Sequence, residues 1–422
     1  MLKSLRTITL AAGLVVSLGV APRPASGQAG TLDPTFGTGG VVTSSIGPPP
    51  GTATLDASGN ILIAGTSAAG QPGQIVRFLA NGQFDTSFGN AGVVKTSSPM
   101  QISTITVQAD GKIIVGGFTD APNATEYFAL ARFNTNGTPD TTFGTGGLVV
   151  TPFAPPIVGG GVQVVLEQPD GKIVAAGANV YSVVVRYNSD GSIDDSFGSG
   201  GVVQGVPGSE IITAMALQSN GTILLSWAAS EGLRELSPTG EHEPVKIGTI
   251  VAVAGFMQNN GDVLQLYNIA QNEGAAATRT LGRARPLSQA PTRQEVELRR
   301  FLTNGEADPA FNGPEFYWQS QPAADLDLSY MSSVAFPSNG QIVAAGWSTT
   351  AAAGIFALAR FSSTGSFDRS FGSGGVATTK ILDNCSIQHV LIQSSGNLVA
   401  IGLASDAGAT SSDLALARYL SE

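Results

Sequence analysis

Residues 130–150 read Leu-Ala-Arg-Phe-Asn-Thr-Asn-Gly-Thr-Pro-Asp-Thr-Thr-Phe-Gly-Thr-Gly-Gly-Leu-Val-Val. An apolar run ends in Arg132-Phe133, a polar Asn136-Gly137 turn follows, Phe143-Gly144 forms an anchor, and a β-branched run leaves. This is a strand–turn–strand unit: Gly supplies the positive φ of a tight turn, and β-branched residues favour a pleated chain. The unit returns along nearly the whole sequence. Phe-Gly anchors stand at Phe36, Phe88, Phe143, Phe197 and Phe371, with a weaker form at Phe311. Arg-aromatic strand ends stand at Arg77, Arg132, Arg186, Arg300, Arg360 and Arg418, and Arg234-Glu235-Leu236 is a decayed copy. Polar-Gly hairpins mark the same copies at Gly59, Gly111, Gly171, Gly221, Gly261, Gly340 and Gly396. Six steps from Arg77 to Arg418 give a period of about 57 residues, and a sustained period marks a repeat architecture.

Within the second unit the pattern predicts four strands: Ile102 to Gln108, Lys112 to Phe118, Tyr127 to Phe133, and about Gly147 to Thr151. Asp110-Gly111 between apolar runs is a hairpin signal. Four short strands per unit, used about seven times, predict an all-β protein, a seven-bladed β-propeller of four-stranded antiparallel blades spanning residues 28–422. Six or eight blades are the near alternatives, and an open β-solenoid the distant one. The chain ends favour the ring: a lone strand at Gly39 to Thr43 and a unit ending at Leu414 to Leu420 would complete one blade together, whereas a solenoid wants two polar caps. In the third strand of unit two, Phe128, Leu130 and Arg132 share one face and Ala129, Ala131 and Phe133 the other, as suits a sheet packed on both sides. In each intact unit the strand-end Arg is expected to pair with a turn Asp eight residues on, as a bidentate pair: Arg77–Asp85, Arg132–Asp140, Arg186–Asp194 and Arg360–Asp368.

Residues 1–27 carry Lys3 and Arg6, an apolar run from Ile8 to Ala21, and small residues Ala25-Ser26-Gly27. That is the layout of a signal peptide cleaved after Gly27. The run is short for a retained span, which needs about 20 residues. The expected localisation is therefore secreted, periplasmic or cell-surface, with no membrane insertion after cleavage. Cleavage removes Lys3, Arg6 and Arg23 and no acidic residue, so the formal charge moves from −10 to −13. A chain that acidic is not expected to bind nucleic acid, whose phosphates call for Lys and Arg. Cys385 is the single cysteine, so no internal disulfide is available, and it is expected at a strand entry.

The recurrent Leu-Asp-x-x-Phe-Gly-x-Gly-Gly-Val-Val, Gln-Pro-Asp-Gly-Lys-Ile-Val-Ala-Ala-Gly at 168–177 and Phe-Ala-Leu-Ala-Arg-Phe at 356–361 resemble the delta-60 repeat family. The resemblance covers residues 32–422 and implies a bacterial exported β-propeller. It carries over no catalytic residue. Glu241-His242-Glu243-Pro244 departs from the pattern where Leu-Asp-x-x-Phe-Gly is expected.

In a four-stranded blade the first and third loops share one end, so the hairpins and anchors read as scaffold. The irregular segments 47–52, 152–161, 271–295 and 312–328 all fall at the other end, and long loops on a rigid frame commonly carry function. The candidate ligand-binding residues are Arg279, Arg283, Arg285, Arg293, Tyr317 and Trp318. Arginines beside aromatics suit an anionic or glycan ligand, or a macromolecular partner. The plainer reading is a solvated Arg-rich loop with the aromatics on a fourth strand. Asn188 to Asp194 resembles part of a calcium loop but lacks its terminal Glu, and turn capping explains it. No cofactor is expected. With only His242 and His389 as histidines, and Asp325 and Asp327 merely adjacent, catalytic and transition-metal sites are not indicated. The expected function is a non-enzymatic, monomeric binding module; the alternatives are a polysaccharide lyase or hydrolase at the channel mouth, or a structural cell-surface repeat.

Overall fold

The computed structural model describes residues 27–68, 70–120, 126–153, 160–178, 182–206, 212–227, 233–242, 254–257, 263–271, 293–302, 306, 308–311, 317–318, 330–350 and 353–422. Except for Gly27, the expected signal peptide lies outside them. The described residues contain strands and turns and no helix. A lone strand, β1 (Val41–Ser44), precedes the first sheet, which is β2 (Thr52–Leu55), β3 (Ile61–Gly65), β4 (Pro72–Phe78) and β5 (Val93–Pro99). The second is β6 (Gln101–Val107), β7 (Ile113–Asp120), β8 (Glu126–Phe133) and β9 (Leu148–Thr151). The third is β10 (Gly161–Glu167), β11 (Ile173–Ala178), β12 (Ser182–Tyr187) and β13 (Val202–Val206). The fourth shows three strands, β14 (Ile212–Leu217), β15 (Ile223–Trp227) and β16 (Leu233–Leu236). The fifth is β17 (Ala254–Met257), β18 (Val263–Gln271), β19 (Arg293–Phe301) and β20 (Tyr317–Trp318). The sixth is β21 (Tyr330–Ala335), β22 (Ile342–Thr350), β23 (Ala353–Phe361) and β24 (Val376–Thr379). The last joins β25 (Asn384–Ile392), β26 (Leu398–Ser405) and β27 (Asp413–Tyr419) to β1, with Val42 opposite Leu416. Every pairing is antiparallel, and the four strands expected in unit two appear within two residues of their expected ends.

The two-residue period decides how sheets meet. Phe128 and Leu130 pack with Val162, Ile173 and Val183 of the third sheet. Ala129, Ala131 and Phe133, on the other face of β8, pack with Leu62, Ala64 and Ile75 of the first. Both faces are apolar because both are covered. The same stacking joins the third sheet to the fourth, the fifth to the sixth, and the sixth to the seventh. Val399, Ile401, Leu414 and Leu416 of the last sheet share a core with Ile61, Ile63 and Val76 of the first. The leading strands of successive sheets also touch: β2 with β6, β6 with β10, β10 with β14, β14 with β17, β21 with β25, and β25 with β2.

Each anchor phenylalanine fills one seam between sheets. Phe88, Phe143, Phe197, Phe371 and Phe36 are fully buried in five of these cores, and Phe311 nearly so in a sixth. Burying one such side chain is worth roughly 2–3 kcal/mol. A turn glycine of the next sheet lies against the ring: a Cβ on Gly137 would meet Phe88 at 3.0 Å and the Gly89 nitrogen at 2.9 Å, and its φ is +85°. Gly146 also has positive φ (+63°), yet a Cβ there meets nothing within 4 Å. The pair separates backbone strain from lost space. Gly146→Ala is expected to cost about 1–2 kcal/mol, the left-handed penalty alone. Gly137→Ala is expected to cost at least about 2 kcal/mol more, because the seam must open. Urea denaturation midpoints of the two variants measure the difference.

Candidate functional site

The strand-end arginine is the chemically richest recurring group, and its surroundings build from the turn that follows it. β8 ends at Arg132-Phe133; the chain reverses, and Phe133 bridges to Pro139. This brings Asp140 under the guanidinium, with Arg132 Nε donating to Asp140 Oδ2 at 2.7 Å. Asp140 Oδ1 accepts the Thr142 amide at 3.1 Å and its hydroxyl at 2.7 Å. The guanidinium carbon sits 4.4 Å from the centroid of Phe143, within cation–π range. Nη1 then crosses the seam to the carbonyl of Ser189 in the third sheet, and Gly144 N donates to the neighbouring carbonyl of Asp190 at 2.8 Å.

All four expected pairs form, at 2.7–2.8 Å, and Arg300–Asp308 and Arg418–Asp33 join them. One expectation is corrected. The pairs are not fork-to-fork: in the four expected pairs one carboxylate oxygen takes the guanidinium and the other caps the turn at Ser or Thr. The guanidinium splits its donors between its own turn and the next sheet. Arg77 reaches Thr135 O, Arg186 Pro238 O, Arg300 Ser363 O, Arg360 Ser421 O and Arg418 Ala80 O. The decayed unit keeps the acceptor: Leu236 takes the aromatic position, fully buried, and still bridges to His242.

Burial alone would raise the Asp140 carboxyl. Hydrogen bonds from Thr142, then the charge of Arg132 and a hydrogen bond from Lys112, reverse this and hold it at about 2. Asp33, Asp85, Asp194, Asp308 and Asp368 shift the same way, burial opposing and hydrogen bonds with arginine winning. Asp194, once a calcium-ligand candidate, is taken by Arg186 at 2.7 Å and Lys172 at 3.0 Å, while Asp190 caps Ser192. Cys385 lies at the entry of β25, buried. His389 is held below its usual range by burial, its Nε2 lying 3.3 Å from Pro50 O.

The hairpin-and-anchor end also carries clefts between neighbouring sheets. One of about 370 Å³ runs between Asp56–Asn60 and Gly111, with Arg77 and Asn136 in its wall. A second, of about 760 Å³, lies between Gln108–Lys112 and Glu167–Gly171, reaching Arg132 and Asp190. A third, of about 450 Å³, lies between Phe336–Gln341 and Ile392–Gly396, with Arg360 and Glu422. None of these is legible along the chain, since each needs two units side by side. Of the candidate residues at the opposite end, Arg279, Arg283 and Arg285 lie outside the described residues, as do Asp325 and Asp327. Arg293 opens β19 opposite Gln271, while Tyr317 and Trp318 pair as β20 with Glu297 and Val296. The aromatics therefore occupy the fourth-strand position, where the plainer reading had them.

Comparison with known proteins adds the class. Residues 57–88, 108–143, 168–197 and 338–371 match a family model described as a domain of unknown function, DUF5122, β-propeller. Each match ends on an anchor phenylalanine, so the family's unit contains the arginine, aspartate and anchor just described. With the antiparallel four-stranded sheets, these matches support a β-propeller fold built from a repeat. No curated protein matches the sequence. The chain is similar to virginiamycin B lyase from Staphylococcus aureus, at TM-score 0.49 and 12% identity, over 89% of this chain and 98% of that one. It is similar to a PL25 ulvan lyase at TM-score 0.47 and 11% identity, over 90% and 94%. A third, YCF48 bound to D1 peptide, gives 0.46 and 9%, over 90% and 95%.

The depressed carboxylates fix the sign of a pH effect. A group lowered on folding stabilises the protein above its unfolded value, near 3.9, and that contribution is lost as pH falls through the folded value. For Asp140 the window runs from about 4 down to about 2. The thermal midpoint is expected to drop across it, and Asp140→Asn is expected to flatten that drop while lowering the midpoint at neutral pH. Calorimetry across the window checks both.

Proposed function

We propose that this chain is an exported, non-enzymatic, seven-bladed β-propeller of the delta-60 repeat type, binding a macromolecule or glycan through its irregular-loop end. Ring closure is supported by β1 pairing with β27 and by the core shared between the last sheet and the first. It is supported again by the cross-seam bonds. Arg418 reaches Ala80 O as Arg77 reaches Thr135 O, and at the preceding seam Arg360 and Gly372 find their acceptors in Ser421 and Ala29, one from each end of the chain. Elsewhere two consecutive residues of one turn do that work.

The observation that carries the binding reading is the division of labour between the two ends. At the regular end the strand-end arginines and their aspartates are committed to one another and to neighbouring turns. The irregular connections, free to vary in length, hold Arg279, Arg283, Arg285, Arg293, Tyr317 and Trp318 in or beside them. A monomeric frame of this kind presents such loops without moving. Export follows from residues 1–27, and the secreted form is expected to begin at Gln28.

Two measurements test the reading. The intact mass of protein recovered from the secreting cell reports whether residues 1–27 are gone. Glycan-array and secretome capture by the mature chain is expected to fall at least about tenfold in a variant carrying R283A, R285A and W318A, with the melting point held. Equal capture by that variant would move the site away from this end.

A further inference from the structure

We infer that Gln28, as the first residue of the secreted chain, is a modification site: it closes on itself to pyroglutamate and caps the arm that completes the last sheet. This rests on the start at Gln28 proposed above, and the experiment below tells failure of one from failure of the other. Removal of residues 1–27 leaves a free α-amine on a glutaminyl residue, within reach of that residue's own side-chain amide. The α-nitrogen attacks Cδ, and the new C–N bond closes a lactam ring. The Cδ–Nε2 bond breaks, and ammonia leaves with the proton that the amine gives up. Nothing is oxidised or reduced, and no co-reactant is consumed.

The structure seats this residue so that closure disturbs little. Gln28 is exposed, whereas Ala29 and Gly30 behind it are buried. Gln28 O accepts the Thr31 amide at 3.0 Å and the Thr31 hydroxyl at 2.7 Å. Gln28 Nε2 donates to Gly372 O at 3.1 Å, an exposed bond. None of these bonds uses the Gln28 backbone nitrogen, so closure removes the Nε2 bond and leaves the carbonyl seat in place. From the next residue on, the arm is docked. Ala29 O accepts Gly372 N at 2.7 Å, and Gly30 N donates to Leu420 O at 2.8 Å. Thr31 O accepts Leu420 N at 2.9 Å, and Asp33 N donates to Arg418 O at 2.8 Å.

Burial of charge gives the cap its purpose. Ala29 is 9% exposed and belongs to the core shared by the sixth and seventh sheets. Loss of Gln28 alone would place the α-ammonium on Ala29, and an unpaired charge is costly to bury. The end of the arm would fray, and each residue removed would open the next, toward Asp33 and its pair with Arg418. Chain ends are where such trimming begins. A lactam carries no ammonium, so it gives an aminopeptidase no foothold and adds no charge beside the core. The cap thus guards the segment that leads into β1 and its pairing with β27.

Peptide mapping by mass spectrometry, on protein recovered from the secreting cell, tests this. The amino-terminal peptide is expected to start at residue 28, to be lighter than its unmodified form by one ammonia, and to resist stepwise amino-terminal sequencing until a pyroglutamyl peptidase is added. A peptide starting at Gln28 whose amine stays free through prolonged incubation at neutral pH would overturn the inference and leave the export reading standing. Retention of residues 1–27, or a start elsewhere, would overturn both. In Gln28→Glu the leaving group would be water, a poorer one, so that end is expected to stay open. An aminopeptidase is then expected to remove the residues ahead of Asp33 at least about fivefold faster than from the wild type, with the same melting point before digestion. Equal rates for the two would overturn the protective role.

Discussion

A guanidinium stacked on a phenylalanine, bonded to an aspartate below and to a carbonyl across the seam, is the interaction on which this molecule depends. Burying a charge is costly unless every donor is satisfied, and removing one partner of a buried pair typically costs about 3–5 kcal/mol. Here the expense is met by geometry. Nε is spent on the carboxylate and Nη1 on the next sheet, and the ring beneath accepts the cation's face. Six units are thereby bonded to the next by a group that cannot lose its proton.

That constraint explains which residues recur and which drift. Arg, Asp and Phe repeat because each holds the other two. The residue after the aspartate's turn needs only a hydroxyl or an amide: Thr142, Ser196 and Ser370 offer both, and Ala310 the amide alone. The acceptor in the next sheet is backbone, so Ser189, Pro238 and Ser363 serve equally. The fourth sheet can lose its aromatic at Leu236 and still receive Arg186 from the third, because reception asks nothing of a side chain.

The same economy separates the two ends of the blades. Turns that must present carbonyls and glycines to a neighbour cannot change length. Among the described residues, none of these arginine bonds involves the connections at the opposite end. Between the regular hairpins clefts remain, and in the wall of one, of about 760 Å³, Gln108 donates to Glu167 across the seam.

Much of this was legible along the chain. The strands of the second unit, the two faces of β8 and the eight-residue offset from Arg to Asp are local features, governed by a two-residue period and a tight turn, and the structure reproduces them. Arg300–Asp308 is equally local, eight residues apart like the others. Arg418–Asp33 could not be found by offset, since its partners stand near opposite termini. The split use of the guanidinium and the clefts were likewise invisible. A sequence of this kind determines its repeating unit, because strand pairing and turn geometry act over a few residues. Only the tertiary structure decides what one unit offers the next, because a hydrogen bond across a seam depends on where two separately specified turns come to rest.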